Sequence, residues 1–290
     1  MSLFRHSLNV AHLHEVYEND TNVYMIMELC SGGDLWSHRD IASGCFSEAQ
    51  AAQIIRAMLR MIAQCHALNV IYRDIKPENF LFTSKDANAH IRAIDFGLAC
   101  YCEPGQVLTE RCGSIYYVAP EIIKSERGRP KPEYGLSSDL WSIGVVAYQL
   151  LSGKVPFTDE YNEVPTTKEV FAAIRRKPVD LESGVWENIS DGAKEFVSML
   201  LNRDQDARPT AHDALHHRWV AKGGDAPDAP LEGSVVQRLQ RFGTYSRFKR
   251  AVMQVGLAGL PLRPAGIRCV PAVDRGSVER LVVLQPWIVA

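Results

Sequence analysis

The pattern of apolar and polar positions predicts short strands at the start of the chain and helices after them. Residues 10–17 and 22–30 have the composition of two strands, joined by a polar turn at 18–21. Residues 47–68 carry apolar side chains at helical spacing, and Ser47 is a suitable N-cap for that helix. The apolar stripe of this long helix consists of Ala51, Ile54, Ile55, Met58, Ile62 and Cys65.

The rest of the chain is mostly helical by the same criterion. Residues 137–152 are apolar on nearly all sides, which predicts a buried helix. Further helices are predicted at 168–176, 190–201 and 211–217, and short strands at 70–71, 80–82 and 91–94. Strands followed by helices indicate a two-lobed α+β body whose larger lobe is helical.

Residues 72–79, with the sequence YRDIKPEN, place a carboxylate, an ammonium group and a carboxamide in one short loop. The sequence DFG follows at 95–97, and APE at 119–121. Phosphoryl transfer requires an acid that takes a hydroxyl proton, a lysine that neutralises phosphate charge, and oxygen donors that hold magnesium. In this order the three segments resemble the catalytic loop, the magnesium loop and the end of the activation segment of a eukaryotic protein kinase. The resemblance implies a protein-kinase-like α+β fold that uses ATP and Mg²⁺.

Four side chains of these motifs carry the expected chemistry. The resemblance implies that Asp74 accepts or orients the proton of a substrate hydroxyl, and that Lys76 neutralises charge on the transferred phosphate. Lysine at this position resembles the serine/threonine kinases rather than the tyrosine kinases. Asn79 and Asp95 are the expected magnesium ligands. Taken singly, such residues are more often surface or turn residues, so the expectation depends on their occurring together.

The segment 27–30 resembles the hinge that holds adenine through backbone groups in this family. The residues expected to bind the nucleotide, in the hinge and beneath the adenine ring, are Met27, Glu28, Cys30, Leu81 and Ile94. An ordinary strand end is the alternative interpretation of the hinge segment.

Asp34 and Glu78 complete the predicted ligand-binding set. By resemblance, acidic residues at these positions face a basic residue of the protein substrate, upstream of the phosphorylated hydroxyl. The partners implied are therefore protein substrates with arginine or lysine near the phosphoacceptor. Solvated carboxylates without this role are the alternative.

The resemblance also implies contacts that hold the site together. Glu121 is expected to form a buried ion pair with Arg208, and Asp139 to cap the backbone of the catalytic loop. The side chains expected to stack in one internal apolar column are Tyr72, Phe96 and Leu13.

The elements that grip the phosphates of ATP are missing from this pattern. A glycine-rich loop and a strand lysine should precede the catalytic loop, yet the first glycine is Gly32 and the first lysine is Lys76. The sequence therefore resembles a kinase with a truncated β N-lobe, and we expect weak phosphate transfer because the phosphates would be poorly positioned. The alternatives are a non-catalytic scaffold resembling a pseudokinase and a truncated gene-model fragment.

Within the kinases, the chain resembles the calcium-dependent protein kinases of plants and protists, which belong to the calmodulin-kinase group. Residues 13–18, 76–82 and 113–121 carry this resemblance. Residues 235–255 resemble the autoinhibitory junction of that family, because arginines and lysines lie among apolar residues at helical spacing. Intramolecular autoinhibition by this segment is the implied role, and a solvated basic helix is the alternative. No calcium-loop pattern follows, so no calcium site is expected in this chain.

The resemblance divides the chain into four parts. They are residual N-lobe strands and hinge at 1–30, a kinase C-lobe at 31–220, a linker and junction helix at 221–256, and an irregular tail at 257–290. Residues 223–230 are rich in glycine, proline and aspartate, which is typical of a linker.

Composition excludes several other classes of protein. A formal net charge of −2 argues against a nucleic-acid binder that works by bulk electrostatics. The seven cysteines include no CxxC pair, which favours free thiols in a reduced cytoplasmic or nuclear setting. No apolar run is long enough to span a bilayer. The histidines at 212, 216 and 217 lack a third ligand at suitable spacing, so a metal site is not expected there.

Overall fold

The computed structural model of the protein describes residues 4, 6–19, 22–86, 88–123, 132–158, 165–244 and 287–288. Its strands are β1 Leu13–Glu18, β2 Asn22–Met27, β3 Gly33–Asp34, β4 Val70–Ile71, β5 Phe80–Phe82, β6 Ile91–Ala93, β7 Cys100–Tyr101 and β8 Trp287–Ile288. Its helices are α1 Arg39–Ser43, α2 Glu48–Ala67, α3 Pro120–Ile123, α4 Ser137–Ser152, α5 Thr167–Arg176, α6 Asp191–Leu200, α7 Ala211–Ala214 and α8 Gly233–Thr244.

The first two strands form an antiparallel hairpin, which confirms the prediction of two strands near the start of the chain. Both strands are shorter than predicted. Val10 and Ala11 pair instead with Ala93 of β6, and the Ser31 amide bonds to the Thr83 carbonyl. The start of the first predicted strand therefore belongs to a contact with β6, whereas Glu28 in the second still bonds to His12. β8 pairs with β2 through two residues, which gives the sheet order β1-β2-β8.

Two small sheets lie on the helical lobe near the predicted catalytic loop. The first has the order β3-β5-β6, and the second pairs β4 with β7. The short strands predicted at 70–71, 80–82 and 91–94 are confirmed, the last ending one residue early. These strands fix both ends of the loop at 72–79, because β4 precedes it and β5 follows it.

The long helix α2 begins and ends within one residue of its predicted limits. Ser47 caps it through a capping box, in which the Gln50 amide donates to the Ser47 hydroxyl and the Gln50 side chain accepts from the Ser47 amide. The predicted apolar stripe is buried, with every member at most 3% exposed. Local capping and periodicity therefore account for this helix.

Helix α4 lies at the centre of the helical lobe and matches the predicted range 137–152. It packs against α2 and α6. Gly144 permits the close approach to α6, because a Cβ atom there would lie 2.8 Å from the Cβ of Leu200. A residue larger than glycine would force the two helices apart.

The remaining helices follow the predictions with one correction. Helices α5 and α6 agree with the predicted ranges to within one residue at each end. The helix predicted at 211–217 ends at Ala214. The amides of His216 and His217 bond three residues back, to Asp213 and Ala214, so the last part tightens into turns.

The segment predicted as a linker has no helix or strand, yet it is docked on the helical lobe. The Ala49 amide donates to the Pro227 carbonyl over 2.9 Å, and the Leu231 amide donates to the Phe46 carbonyl over 2.8 Å. Helix α8 follows and joins the same apolar core, with Leu239 fully buried. The described part of 221–256 therefore packs on the helical lobe. Residues 245–256 of the predicted junction, and the tail apart from β8, lie outside the described residues.

None of the helices in the described ranges combines the length and the hydrophobicity that crossing a bilayer would need.

Candidate active site

The loop at 72–79 is anchored to the start of helix α4 by one buried carboxylate. Asp139 is 1% exposed and accepts hydrogen bonds from the backbone amides of Tyr72 and Arg73, both over 2.9 Å. The His66 ring lies 2.9 Å from the same carboxylate. Arg73 has a left-handed backbone with φ of 68°, which is costly for a side chain of this size and is held by these bonds. The predicted capping role of Asp139 is confirmed.

Asp74 lies at the centre of a network of three donors. The Lys76 ammonium donates to one carboxylate oxygen over 2.7 Å, and the Asn79 amide donates to the same oxygen over 3.0 Å. The Ser114 hydroxyl donates to the other oxygen over 2.7 Å. Because the Asp74 side chain is 10% exposed, these donors fix its orientation within a nearly enclosed site. The structure therefore brings Asp74, Lys76 and Asn79 together, as their sequence positions predict.

The two predicted magnesium ligands lie on adjacent loops. The Asn79 amide nitrogen also donates to the Asp74 carbonyl, which leaves the Asn79 side-chain oxygen as an acceptor. The Ile94 amide donates to the Asn79 carbonyl over 3.1 Å, so Asp95 directly follows a residue that is bonded to the catalytic loop. One Asp95 oxygen accepts from the Gly97 amide and shapes the turn. Two hard oxygen donors remain, which fits Mg²⁺ completed by phosphate oxygens.

The Tyr72 ring lies against the loop that carries Asp95, because it contacts Phe96, the next residue. Burial raises the pKa of the Tyr72 hydroxyl most, and the charges of Asp74 and Asp95 raise it further. The described residues contain no group of three or more His, Cys, Asp or Glu side chains that could hold a metal ion by themselves. A metal held here would therefore take part of its coordination from a ligand.

Phe96 of the DFG segment contacts two aromatic rings, those of Tyr72 and Phe4. Its ring centroid lies 5.1 Å from that of Tyr72, with the planes almost perpendicular, and 5.3 Å from that of Phe4. The predicted contact between Tyr72 and Phe96 is confirmed. Phe4 is an additional member that the sequence analysis did not identify, and the place of Leu13 in the column stays a prediction.

The hinge segment is tied to the helical lobe through Glu28. The Glu28 amide donates to the His12 carbonyl over 2.7 Å, and its carboxylate accepts from the His12 amide over 3.1 Å and from Arg92 over 3.3 Å. Met27 ends β2, directly before this point. Burial, helped by the charge of Glu28, raises the pKa of the Cys30 thiol to about 11. The side chain of Glu28 therefore holds the hinge in place.

Leu81 and Ile94, predicted to lie beneath the adenine ring, are both half-buried. Leu81 is the middle residue of β5 and pairs with Asp34 on one side and Arg92 on the other. Ile94 is joined to the catalytic loop by its bond to Asn79. Both side chains thus belong to the strands and loops that carry the predicted catalytic and magnesium-binding residues.

The two predicted substrate-facing acids lie on adjacent elements. Asp34 ends β3 and accepts a hydrogen bond from the Ser37 hydroxyl over 3.0 Å. Glu78 is in the 3₁₀ turn Pro77–Asn79, against which β3 packs. Burial raises the pKa of the Tyr117 hydroxyl most, and the charge of Glu78 raises it further.

The activation segment ends at a buried ion pair. Arg208 donates to Glu121 through two parallel bonds of 2.6 and 2.8 Å, and both side chains are almost fully buried. The guanidinium also lies 5.2 Å from the ring centroid of Trp141. The predicted pair is confirmed and is bidentate, the strongest geometry available to these groups.

The role of Ser114 was not predicted from the sequence. Its hydroxyl bonds Asp74 across 40 residues of chain, and the Lys76 ammonium lies 3.4 Å from it. The one feature of the sequence that points to Ser114 is the glycine before it. Gly113 has a φ of 110°, and a Cβ atom there would lie 3.1 Å from the Arg73 carbonyl oxygen, so glycine is favoured at this position.

The chain is similar in sequence to a family of known proteins. The protein kinase domain family matches residues 1–220. "Calcium-dependent protein kinase 17" of Arabidopsis thaliana is 41% identical over 247 residues, which cover 85% of this chain and 44% of that protein. "Calcium-dependent protein kinase 26" of Oryza sativa subsp. japonica is 42% identical over 247 residues, with coverages of 85% and 43%. The chain thus spans less than half the length of these curated relatives. It belongs to the protein kinase family and, within that family, is similar to the calcium-dependent protein kinases.

Proposed function

We propose that the chain transfers the terminal phosphate of ATP to serine or threonine hydroxyls of proteins, as a kinase of the calcium-dependent type. The observation that carries the proposal is the Asp74 carboxylate, which is held by Lys76, Asn79 and Ser114 in one network. A carboxylate accepts about four hydrogen bonds, so three donors leave capacity for a substrate hydroxyl. Asp74 is therefore an oriented proton acceptor for that hydroxyl.

Lys76 supplies positive charge at the same place. Its ammonium lies 2.7 Å from Asp74 and within reach of Ser114. Charge that develops on a transferred phosphoryl group next to Asp74 would be neutralised by this ammonium, in a site where little water screens it. Lys76 thus orients the carboxylate before reaction and stabilises phosphate charge during it.

Asn79 and Asp95 would hold Mg²⁺ through the oxygen atoms that the protein leaves open. Bound Mg-ATP supplies the phosphoryl group. The backbone at Glu28 and Cys30 would hold the adenine ring. Leu81 would lie beneath that ring together with Ile94.

Asp34 and Glu78 would select substrates with arginine or lysine near the phosphorylated hydroxyl. Their elements, β3 and the 3₁₀ turn Pro77–Asn79, pack against each other. A guanidinium placed between two such carboxylates gains more than it would from one exposed pair.

We further propose that residues 235–255 regulate access of substrates to this site, with α8 as their anchor. The Phe242 ring stacks on Trp36, two residues after Asp34, with centroids 5.2 Å apart. Arg238 donates to the Ser152 carbonyl, so this basic side chain holds α8 on the helical lobe. Arg241 is exposed on the same helix, and the basic residues at 247, 249 and 250 lie outside the described residues.

We place the protein in the cytoplasm or nucleus. The six cysteines within the described residues are all free thiols, which fits a reduced compartment.

Phosphate transfer to an arginine-containing peptide tests the proposal, with radiolabelled Mg-ATP and the variant Asp74→Asn. We expect weak activity from the 290-residue chain, because its first glycine is Gly32 and its first lysine is Lys76. Asp74→Asn should lower the rate by about 10²–10⁴-fold, since it removes the proton acceptor. The matched control is Asp86→Asn at an exposed turn, which should leave the rate unchanged.

A calorimetric titration with Mg-ATP separates a kinase from a non-catalytic scaffold. The kinase proposal expects binding that weakens when Asp95 is changed to Asn. A chain that binds no Mg-ATP, or an Asp74→Asn variant as active as the original, would show that the proposed function is wrong.

A further inference from the structure

Tyr134 is a buried tyrosine in the loop that leads into α4, and no part of the proposed chemistry uses it. Tyr134 is completely buried, and so is its hydroxyl, which therefore needs hydrogen-bond partners within the protein. The residues that surround the hydroxyl come from the catalytic loop and from the activation segment. This position suggests a connecting role.

The backbone of Tyr134 pairs with the activation segment. The Leu108 amide donates to the Tyr134 carbonyl over 2.8 Å, and the Tyr134 amide donates to the Leu108 carbonyl over 3.2 Å. The Tyr134 hydroxyl then donates to the Glu110 carbonyl over 2.7 Å. The segment is therefore held at two points, two residues apart.

The same hydroxyl reaches the catalytic loop. The Arg73 guanidinium donates to it over 3.3 Å, and the Cys112 sulfur lies 3.5 Å from it. Arg73 is itself bound to Asp139 through its backbone amide. One oxygen atom thus joins the residue before Asp74 to two residues of the activation segment.

A second contact between the catalytic loop and the activation segment, an exposed ion pair, is much weaker. The Glu110 carboxylate lies 3.7 Å from the Arg73 guanidinium, but the Glu110 side chain is 70% exposed. Exposed ion pairs of this kind contribute little to stability because water and salt screen their charges. The buried hydroxyl is therefore the main tie between Arg73 and the segment at 108–112.

We propose that Tyr134 is a positioning residue that holds residues 108–114 in the conformation in which Ser114 reaches Asp74. It touches neither substrate nor ATP and acts through the segment. The effect on phosphate transfer rests on the proposed function, whereas the effect on the segment does not.

Tyr134→Phe tests the proposal in the 290-residue chain, because it removes the hydroxyl and keeps the ring. The first measurement is hydrogen–deuterium exchange of peptides that cover 106–115. The variant should exchange roughly fivefold faster there, since a buried hydrogen bond is lost and the Glu110 carbonyl is left unpaired. The second is labelling of Cys112 with a maleimide, followed by mass spectrometry. Burial raises the pKa of this thiol and protects it, so labelling should accelerate by a similar factor.

Two variants serve as controls for Tyr134→Phe. Tyr148→Phe removes a tyrosine hydroxyl from α4 beside Trp186 and should leave both measurements at 106–115 unchanged. Glu110→Gln keeps the carbonyl that Tyr134 binds and weakens only the exposed pair, so exchange should change by less than about twofold. Equal exchange and labelling in Tyr134→Phe and the original chain would overturn the proposal, as would an equal effect of Tyr148→Phe.

Phosphate-transfer kinetics distinguish this proposal from the proposed function. If both hold, Tyr134→Phe lowers kcat and leaves KM for Mg-ATP unchanged, because the hinge is not involved. Faster exchange and labelling in a chain without Mg-ATP binding would support the role of Tyr134 and refute the kinase proposal.

Discussion

The catalytic loop and the N-terminal hairpin distribute polar and apolar side chains in opposite ways. Asp74, Asn79 and Asp139 are buried, with 8% of the residue exposed or less, and each has at least two hydrogen-bonding contacts. In the hairpin, Val16 is 45% exposed and Tyr17 is 56% exposed. Polar groups are inside in the first region, and apolar groups are outside in the second.

This contrast indicates which region of the structure is rigid. A buried polar group is costly unless it is paired, so the catalytic loop has one arrangement in which all its partners are satisfied. The hairpin is joined at its edge by the two-residue pairing of β8, and a small sheet of this kind is only marginally stable. The residues proposed to transfer phosphate therefore belong to the stable part of the molecule, while the predicted hinge lies between the stable and the marginal part.

Removing one partner of the buried ion pair should have the largest effect. Glu121→Ala leaves the Arg208 charge buried without a carboxylate, so it should lower the free energy of unfolding by about 3–5 kcal/mol. Glu195→Ala breaks the pair with Arg218, in which both side chains are more than half exposed, and should cost about 0–1 kcal/mol. Urea unfolding measures both. Similar losses in the two variants would contradict the claim that burial decides the value of a pair here.

A substitution that creates a cavity beneath α8 tests whether that helix belongs to the stable region. Leu239 is completely buried, so Leu239→Ala should lower the free energy of unfolding by about 2–5 kcal/mol. Arg241→Ala, at an exposed position of the same helix, should stay within about 0.5 kcal/mol of the original protein. If Leu239→Ala also has no effect on urea unfolding, α8 does not form part of the core in solution.

A change of valine to threonine allows the cost of a buried hydroxyl to be compared between the two regions. Val146→Thr places a hydroxyl in the centre of α4 and should cost about 1–3 kcal/mol, because the position is fully buried. Val16→Thr in the hairpin should change the free energy of unfolding by less than about 0.5 kcal/mol, since the side chain is already exposed to water. Thermal and urea unfolding of the two variants would refute this contrast if Val16→Thr proved the more damaging.

The rate at which Cys30 is labelled probes the border between the two regions. Burial raises the pKa of this thiol to about 11, so the reactive thiolate is scarce at neutral pH and increases about tenfold per pH unit below that value. Alkylation by iodoacetamide, followed by mass spectrometry, should therefore accelerate about 100-fold between pH 7 and 9. Bound Mg-ATP should slow it, because the proposed adenine site includes the Cys30 backbone. A rate that levels off below pH 9 would show that the thiol is not shielded in this way.

Most helices and the core of the site could be predicted from sequence, and the misses have definite causes. The ends of α2 follow from the capping box at Ser47 and from the spacing of its apolar residues, both of which are local. The strand at 10–17 was predicted to begin too early because Val10 and Ala11 pair with β6, and the strand at 22–30 ends at Met27. The segment at 223–230 has the composition of a linker, and composition does not show that Pro227 accepts a bond from Ala49.

By itself, the sequence determined the order of the elements and the residues available for chemistry, because periodicity, capping and short motifs act within a few residues of chain. Only the tertiary structure decided which partner each polar side chain takes. Ser114 meets Asp74 across 40 residues, and the Tyr134 hydroxyl meets Arg73 across 61. Such contacts form because packing of α2 and α4 brings distant loops together and excludes water from the groups between them. No local pattern specifies them.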